Sequence, residues 1–469
     1  MAKRQRAKSR PSRLVVVANR LPVRRVRRGN KHVWEPSPGG LVTAMRPILN
    51  ETDGCWVGWA GMARSPGKAF TVNGMEVRDV PISASEQEHF YEGFCNATLW
   101  PLYHDAIREA EIHRHWWRAY VDVNRRFAEA AADSLRPGDT CWVHDYQLHL
   151  VPQMLRQLQP KVKIGFYLHI PFPAEELFAR IPWRSELING TLGADVIGFQ
   201  TRLGVRNFVR CAQRFGDGKA RGQAFQIDGR TSRVEAFPIS IDTQQFESTA
   251  RMPGVVERAE QIRDRMGTVS GRKLLLGIDR LDYTKGIDYR LRAVQEVLRR
   301  GTFTAEDFAV IQVAVPSREN VSDYISMRSR IEELVGNING EYGEPGRFPI
   351  HYLRRNLPFE ELIAYYGAAD IMMVTPLRDG MNLVAKEYAA VRTDNSGTLI
   401  LSEFAGAAQE LRRAVLVNPF DVDGIANAIE SSLVMPKAEA SRRMRHLRAV
   451  VRSNDVYAWA NSFLEVLHS

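Results

Sequence analysis

Short apolar runs recur along the chain, and many close on a polar or charged residue. RLVVVANR spans Arg13–Arg20, DTCWVHDY spans Asp139–Tyr146, KIGFYLHI spans Lys163–Ile170 and ADVIGFQ spans Ala194–Gln200. A second set follows: KLLLGIDR (Lys273–Arg280), FAVIQVAV (Phe308–Val315), DIMMVTP (Asp370–Pro376) and TLILSEF (Thr398–Phe404). Segments of helical period lie between many of them, such as Trp116–Leu135 and Tyr289–Arg300. Runs that are apolar throughout and alternate with helices predict an α/β fold with parallel sheets covered on both faces. In open sheets of this kind ligands bind outside the carboxyl ends of the strands. Arg20, Asp145, His169, Arg280, Arg318 and Asp379 stand at or just beyond those ends.

A chain of 469 residues is too long for one hydrophobic core, so two domains are expected. The polar stretch Asp242–Ser270 separates the two sets of strands, which places the boundary near residue 245. The organisation predicted is a basic disordered tail (1–12), an N-terminal Rossmann-like domain (13–245), a C-terminal one (246–453) and a final amphipathic helix (454–469) packing back toward the first domain. No run reaches the roughly 18 apolar residues of a membrane helix. The basic N-terminus has no apolar stretch of a secretory signal. Cys55, Cys95, Cys141 and Cys211 are widely spaced without a CxxC, and read as reduced thiols of a cytoplasmic protein.

The net charge of +10 raises the question of a nucleic-acid partner. Its location argues against one. Residues 1–31 hold twelve Lys or Arg and no acid, which leaves residues 32–469 with 52 basic against 54 acidic side chains. The basic character is a tail (Lys3–Arg13) and a second cluster (Arg24–Lys31). Neither a nucleic acid nor a membrane is expected as partner.

The densest chemistry lies in TPLRDGMNLVAKEY, Thr375–Tyr388. An apolar strand enters it and a helix leaves it. The helix start offers N–H groups and a partial positive charge that suit a phosphate, and Asp379 stands where a carboxylate can accept sugar hydroxyls. The bland alternative is a capped helix with its charges facing solvent. In DRLDYTKG, Arg280 ends a strand and Lys285 follows in a tight turn. Two fixed cations there can hold a diphosphate; the alternative is a surface ion pair between Asp282 and Lys285. Arg318 in PSREN repeats the theme. His169 in YLHIPFP precedes a turn stiffened by Pro171 and Pro173, a placing for contact rather than proton relay, or else for a satisfied core histidine. Asp145 in WVHDYQL sits beside His144. No GxGxxG follows the first strand and no GxxxxGK[ST] occurs; Gly39-Gly40 in SPGGL is the nearest thing to a phosphate-approach loop.

These motifs occur together with FYEGFCNATLWPL, GFQT, NGEYG and LSEFAGAAQEL in one order. From about residue 13 onward the chain resembles the trehalose-6-phosphate synthases, retaining glycosyltransferases with two Rossmann-like domains facing across a cleft (the GT-B architecture). The resemblance implies transfer of glucose from a nucleotide-glucose to glucose 6-phosphate, with retention and by a front-face route, without metal or cofactor. It implies that Arg20, Tyr91, Trp100, Asp145 and Arg318 hold the acceptor, with Arg20 and Arg318 at its phosphate. Gly39, Gly40, Arg280, Lys285 and the helix start (Leu383, Val384, Ala385, Lys386 and Glu387) would hold the donor, with Glu387 on the ribose. Asp379 would bind donor sugar hydroxyls and His169 would sit over the donor sugar. His169, Asp145, Arg280, Lys285 and Asp379 form the expected catalytic set.

One segment departs from the family pattern. HYLRRNLPFEEL carries Asn356 and Leu357 where a base-stacking aromatic is usual, so the donor base is open between guanine, uracil and adenine. Two rival readings are a pseudo-glycosyltransferase coupling cyclitol units and a catalytically silent sugar-phosphate sensor. A homo-oligomer, dimer or tetramer, is expected, and no trailing phosphatase domain. The basic stretch Val23–Lys31 is read as a loop that either closes over the phosphates or is merely solvated.

Overall fold

The computed structural model describes residues 13–28, 31–36, 42, 45, 49, 54–62, 69–72, 74–268, 271–316 and 322–469. Two units emerge, Met1–Phe237 with Ala460–Ser469, and Pro238–Trp459. The division falls at Phe237, where the sequence places it near residue 245. The polar stretch after Phe237 is not a linker. It forms the helices Thr243–Ala250 and Pro253–Arg265, and Arg258 on the latter makes a two-pronged pair with Glu361 at 2.7 and 2.8 Å.

The strands of the first unit are β1 Leu14–Arg20, β2 Val23–Arg28, β3 Lys31–Pro36, β4 Cys55–Trp59, β5 Ala69–Val72, β6 Met75–Asp79, β7 Thr140–His144, β8 Lys163–Leu168, β9 Val196–Phe199, β10 Lys219–Arg221, β11 Ala224–Ile227 and β12 Arg230–Ala236. Ten of them form one sheet in the order β10-β11-β12-β9-β8-β7-β1-β4-β6-β5. Pairing is parallel from β12 to β6 and antiparallel at the two edges. The strands β4, β7 and β9 are buried along their whole length, as a parallel sheet covered on both faces requires.

Counted from β1, the central six strands read 3-2-1-4-5-6 across the sheet. The chain reverses direction between β1 and β7, and a doubly wound sheet opens a binding crevice at that switch point. Arg20 ends β1 and Asp145 follows β7, so both lie at the switch.

In the second unit β13 Lys273–Arg280, β14 Phe308–Val315, β15 Ile350–Leu353, β16 Ile371–Val374, β17 Thr398–Ser402 and β18 Val415–Val417 form an all-parallel sheet. Its order, β15-β14-β13-β16-β17-β18, is again 3-2-1-4-5-6. The switch lies between β13 and β16, whose ends lead into Lys285 and Asp379. Gly286, next to Lys285, has φ +62°, and a side chain there would stand 2.5 Å from the Thr375 carbonyl. Only glycine fits that turn.

The last helix runs Val456–His468. Phe463 stacks on Trp142 of β7 at 4.3 Å and meets Phe237 edge-on at 5.0 Å. The stretch expected as a loop, Val23–Lys31, differs. Val23–Arg28 and Lys31–Pro36 pair as an antiparallel hairpin that sets Arg24 opposite Glu35 and Val26 opposite Val33, and Trp34 anchors it on Phe70 at 4.8 Å.

Candidate active site

In the first unit, the exposed Arg20 lies over the face of Trp59, its guanidinium carbon 4.0 Å from the ring centroid and 5.4 Å from that of Tyr91. Tyr91 in turn meets Trp59 edge-on at 6.1 Å. Tyr91 belongs to a π-helix, Gln87–Leu99, which the sequence reading did not anticipate. Trp100 begins the following α-turn, and its N–H reaches back five residues to the Cys95 carbonyl. Nine residues make about two turns of a helix at roughly 4.4 residues per turn, but about two and a half turns of an α-helix. The π winding therefore turns Tyr91 and Trp100 to the same side, where α winding would set them on opposite sides. Trp100 is buried against His104 at 4.1 Å and Tyr146 at 5.7 Å.

Asp145 precedes Tyr146 in a strained conformation, φ 78° and ψ 168°, a region that is essentially glycine's own. Holding an aspartate there costs on the order of 1–3 kcal/mol, and such strain collects at functional sites. The Asp145 N–H donates to the Tyr167 carbonyl at 2.8 Å, and its Oδ1 accepts the His169 N–H at 3.2 Å. The carboxylate is thus clamped between the ends of β7 and β8. His169 Nε2 lies 3.1 Å from His144 Nδ1. Burial pushes the His169 imidazole down to about 3 and that of His144 well below its usual value, so both rings are neutral at physiological pH. That state suits contact rather than proton relay.

In the second unit, Lys285 Nζ donates to Asp379 Oδ2 at 2.5 Å, and Asn382 Nδ2 donates to the same oxygen at 3.1 Å. The alternative of a surface pair between Asp282 and Lys285 is overturned. Lys285 is buried, and Asp282 accepts from Thr284 N and Oγ1 and from Tyr324 Oη instead. Asn382 caps the helix Leu383–Val391 in a left-handed conformation, φ 70°, without a side-chain cap bond. The N–H groups of Leu383, Val384 and Ala385 therefore point off the helix start without a cap from Asn382. Glu387 accepts from Tyr366 Oη at 2.8 Å, and burial raises its carboxyl to about 6.

Lys386 is not a charge on a solvent face. Its side chain is buried, and its ammonium donates to Glu410 at 2.7 Å and to the Ile239 carbonyl at 2.8 Å. Only its backbone lies at the helix start. Asn356 is exposed and Leu357 half-buried, in the irregular stretch after β15. Arg280 ends β13 exposed. Gly39, Gly40, Arg318 and the tail lie outside the described residues. So do residues 29–30 of the second basic cluster, whose Arg24 and Arg25 are exposed on β2.

The family model of glycosyltransferase family 20 matches residues 12–469. The chain belongs to this family. This glycosyltransferase is 52% identical over 467 residues to the trehalose-6-phosphate synthase of Mycolicibacterium smegmatis, covering 97% of this chain and 92% of that one. Among solved structures, it is similar to an α,α-trehalose-phosphate synthase (UDP-forming) of Burkholderia xenovorans in complex with glucose 6-phosphate, with TM-score 0.89 and 34% identity over 98% of this chain and 100% of that one. It is also similar to an E. coli trehalose-6-phosphate protein bound with UDP-2-fluoro glucose, with TM-score 0.89 and 32% identity over 97% and 99%. The GT-B fold class read from the sequence is that of these neighbours.

Two features of the candidate site escaped sequence reasoning. One is the His144–His169 contact, since adjacent parallel strands bring together residues 25 apart. The other is Arg290, wholly buried beneath the second switch point. A helix of alternating charged and apolar residues gave no sign that one arginine points inward. The DYR triplet after Gly286, in the first turn of the helix, was the available hint.

Proposed function

We propose that the chain is an α,α-trehalose-6-phosphate synthase that moves glucose from a nucleotide-glucose, GDP- or UDP-glucose, to glucose 6-phosphate with retention at the anomeric carbon. The observation that carries this reading is 52% identity to the M. smegmatis synthase across 97% of the chain. The ligands of the two solved relatives, glucose 6-phosphate and UDP-2-fluoro glucose, support the same acceptor and donor classes.

Arg20 and Arg318 meet the acceptor phosphate, and Tyr91, Trp100 and Asp145 meet its sugar. Arg280 and Lys285 neutralise the diphosphate as the glycosidic bond breaks, and the helix start at Leu383–Ala385 adds its dipole. Gly39 and Gly40 let the backbone approach the diphosphate. Glu387 accepts ribose hydroxyls, Asn356 and Leu357 border the base, and His169 touches the donor sugar. Asp379 accepts sugar hydroxyls while orienting Lys285. A carboxylate paired to an ammonium at 2.5 Å is a poor nucleophile, which favours a front-face route over the covalent one of retaining hydrolases. In that route the leaving phosphate oxygen takes the proton of the acceptor hydroxyl as the new C–O bond forms. Incubating glucose 6-phosphate with UDP-, GDP- and ADP-glucose, and reading linkage by NMR, tests the proposal. Absence of a 1,1-linked disaccharide phosphate with every donor refutes it. A cytoplasmic homo-oligomer completes the reading; light scattering of the purified chain checks the assembly. Among the described residues no helix is long and apolar enough to cross a membrane.

A further inference from the structure

His144 has no role in the chemistry above, yet it is fully buried at the end of β7, immediately before the strained Asp145. Its ring lies 5.3 Å from that of His169, nearly parallel at 28°, with Nδ1 facing His169 Nε2 at 3.1 Å. Trp142 packs against it at 4.8 Å, and Tyr167 approaches both imidazoles, at 6.3 and 4.7 Å. Both rings are neutral, so each carries one proton. A nitrogen–nitrogen hydrogen bond needs one donor and one acceptor. Two arrangements exist. Either His144 Nδ1–H donates to His169 Nε2, or His169 Nε2–H donates to His144 Nδ1.

The far side of His144 decides between them. Its Nε2 is buried with no hydrogen-bond partner among the described residues. In the second arrangement that nitrogen would carry a proton with no acceptor. In the first it is a bare ring nitrogen. Orphaned buried N–H groups are rarer in folded proteins than under-satisfied acceptors.

We infer that His144 is a positioning residue that fixes His169 in the tautomer with its proton on Nδ1. His169 Nδ1 can then donate to a sugar hydroxyl oxygen but cannot accept from one. No proton moves in this role; the ring's hydrogen-bonding polarity is set before substrate arrives. The consequence for the sugar rests on the proposed placing of His169 at the donor, whereas the tautomer does not.

Long-range proton–nitrogen correlation spectra of the full-length, nitrogen-15-labelled protein read the tautomer directly. In the unsubstituted protein His169 is expected to show a pyrrole-type Nδ1 and a pyridine-type Nε2. In H144N the amide nitrogen stands near the original Nδ1 position and donates in its place, so the same pattern persists. In H144L the donor is gone and nothing holds the His169 proton on Nδ1, so the two tautomers mix, and kcat/KM for the donor falls by roughly tenfold or more, with a smaller loss in H144N. A pyrrole-type Nε2 on His169 in the unsubstituted protein overturns the inference, as does a His169 pattern unchanged in H144L. If the tautomer is as stated and shifts in H144L while turnover does not, the inference stands and the placing of His169 at the donor sugar fails.

Discussion

Replacing Arg290 with methionine should break the second unit beneath the proposed donor residues. Arg290 lies on the helix Ile287–Arg300 with its side chain 0% exposed, and Asp279 opposite it is 3% exposed. Nη1 donates to Asp279 Oδ2 at 2.7 Å and to Gln312 Oε1 at 3.0 Å, and Nε donates to Thr375 Oγ1 at 3.0 Å. One side chain thus ties β13, β14 and the end of β16, the strands on either side of the switch point. Gly277 makes room for it, since a side chain there would overlap both Arg290 Nη1 and Gln312 Oε1. R290M leaves the Asp279 charge buried and unpaired, which costs about 3–5 kcal/mol. Against a typical domain stability of about 5–15 kcal/mol, that is a large fraction. Removing both charges, in D279N/R290M, should recover most of the loss.

The pH dependence has a definite sign. Burial already raises the Asp279 carboxyl above its usual range, against the opposing pull of Arg290. Without Arg290 it rises further. A carboxyl whose pKa is raised on folding favours the folded state at low pH, and that advantage is lost as pH rises through the folded value. The R290M deficit should therefore be larger at about pH 8 than at about pH 5. Urea unfolding followed by far-UV circular dichroism measures it, and the donor KM should rise because Lys285 and Asp379 lose their footing. A deficit under about 1 kcal/mol would refute the reasoning. So would a double variant no more stable than R290M.

Glu387, raised to about 6 by burial, should protonate as pH falls through that value and lose acceptor capacity for the proposed ribose contact. The donor KM should then rise below about pH 6. E387Q should raise the donor KM roughly tenfold and flatten this limb, as a pH series of initial rates would reveal. His169, at about 3, adds no limb between about pH 5 and 8. Neutralising Arg24, Arg25, Arg27 and Arg28 together should raise the KM for glucose 6-phosphate at low salt and less at moderate salt. Equal kinetics in both salts would exclude steering by the hairpin.

The apolar runs and their polar ends were legible because a strand buried on both faces must be apolar throughout, whatever its neighbours. Arg20, Asp145, Arg280 and Asp379 were legible for a related reason, as charged or polar side chains at or just past the end of such a run. The chain's own order also carried the family likeness over nearly its full length. What the linear pattern could not hold was adjacency. A run of residues does not say which strand lies beside it, so it did not reveal that Lys285 would reach Asp379 rather than Asp282, nor that His144 would face His169. It did not show that Lys386 turns inward to Glu410, because one helical residue in a charged string looks like the next. Nor did it show the π winding, which depends on five-residue hydrogen bonds that no hydrophobic period records. The sequence by itself determined the layered α/β architecture, the glycosyltransferase family and the residues available at the strand ends. Tertiary structure decided the strand order 3-2-1-4-5-6 in each unit, and with it the two switch points where those residues converge. The physical reason is that burial constrains each residue locally, whereas pairing between strands is settled only when the whole sheet packs.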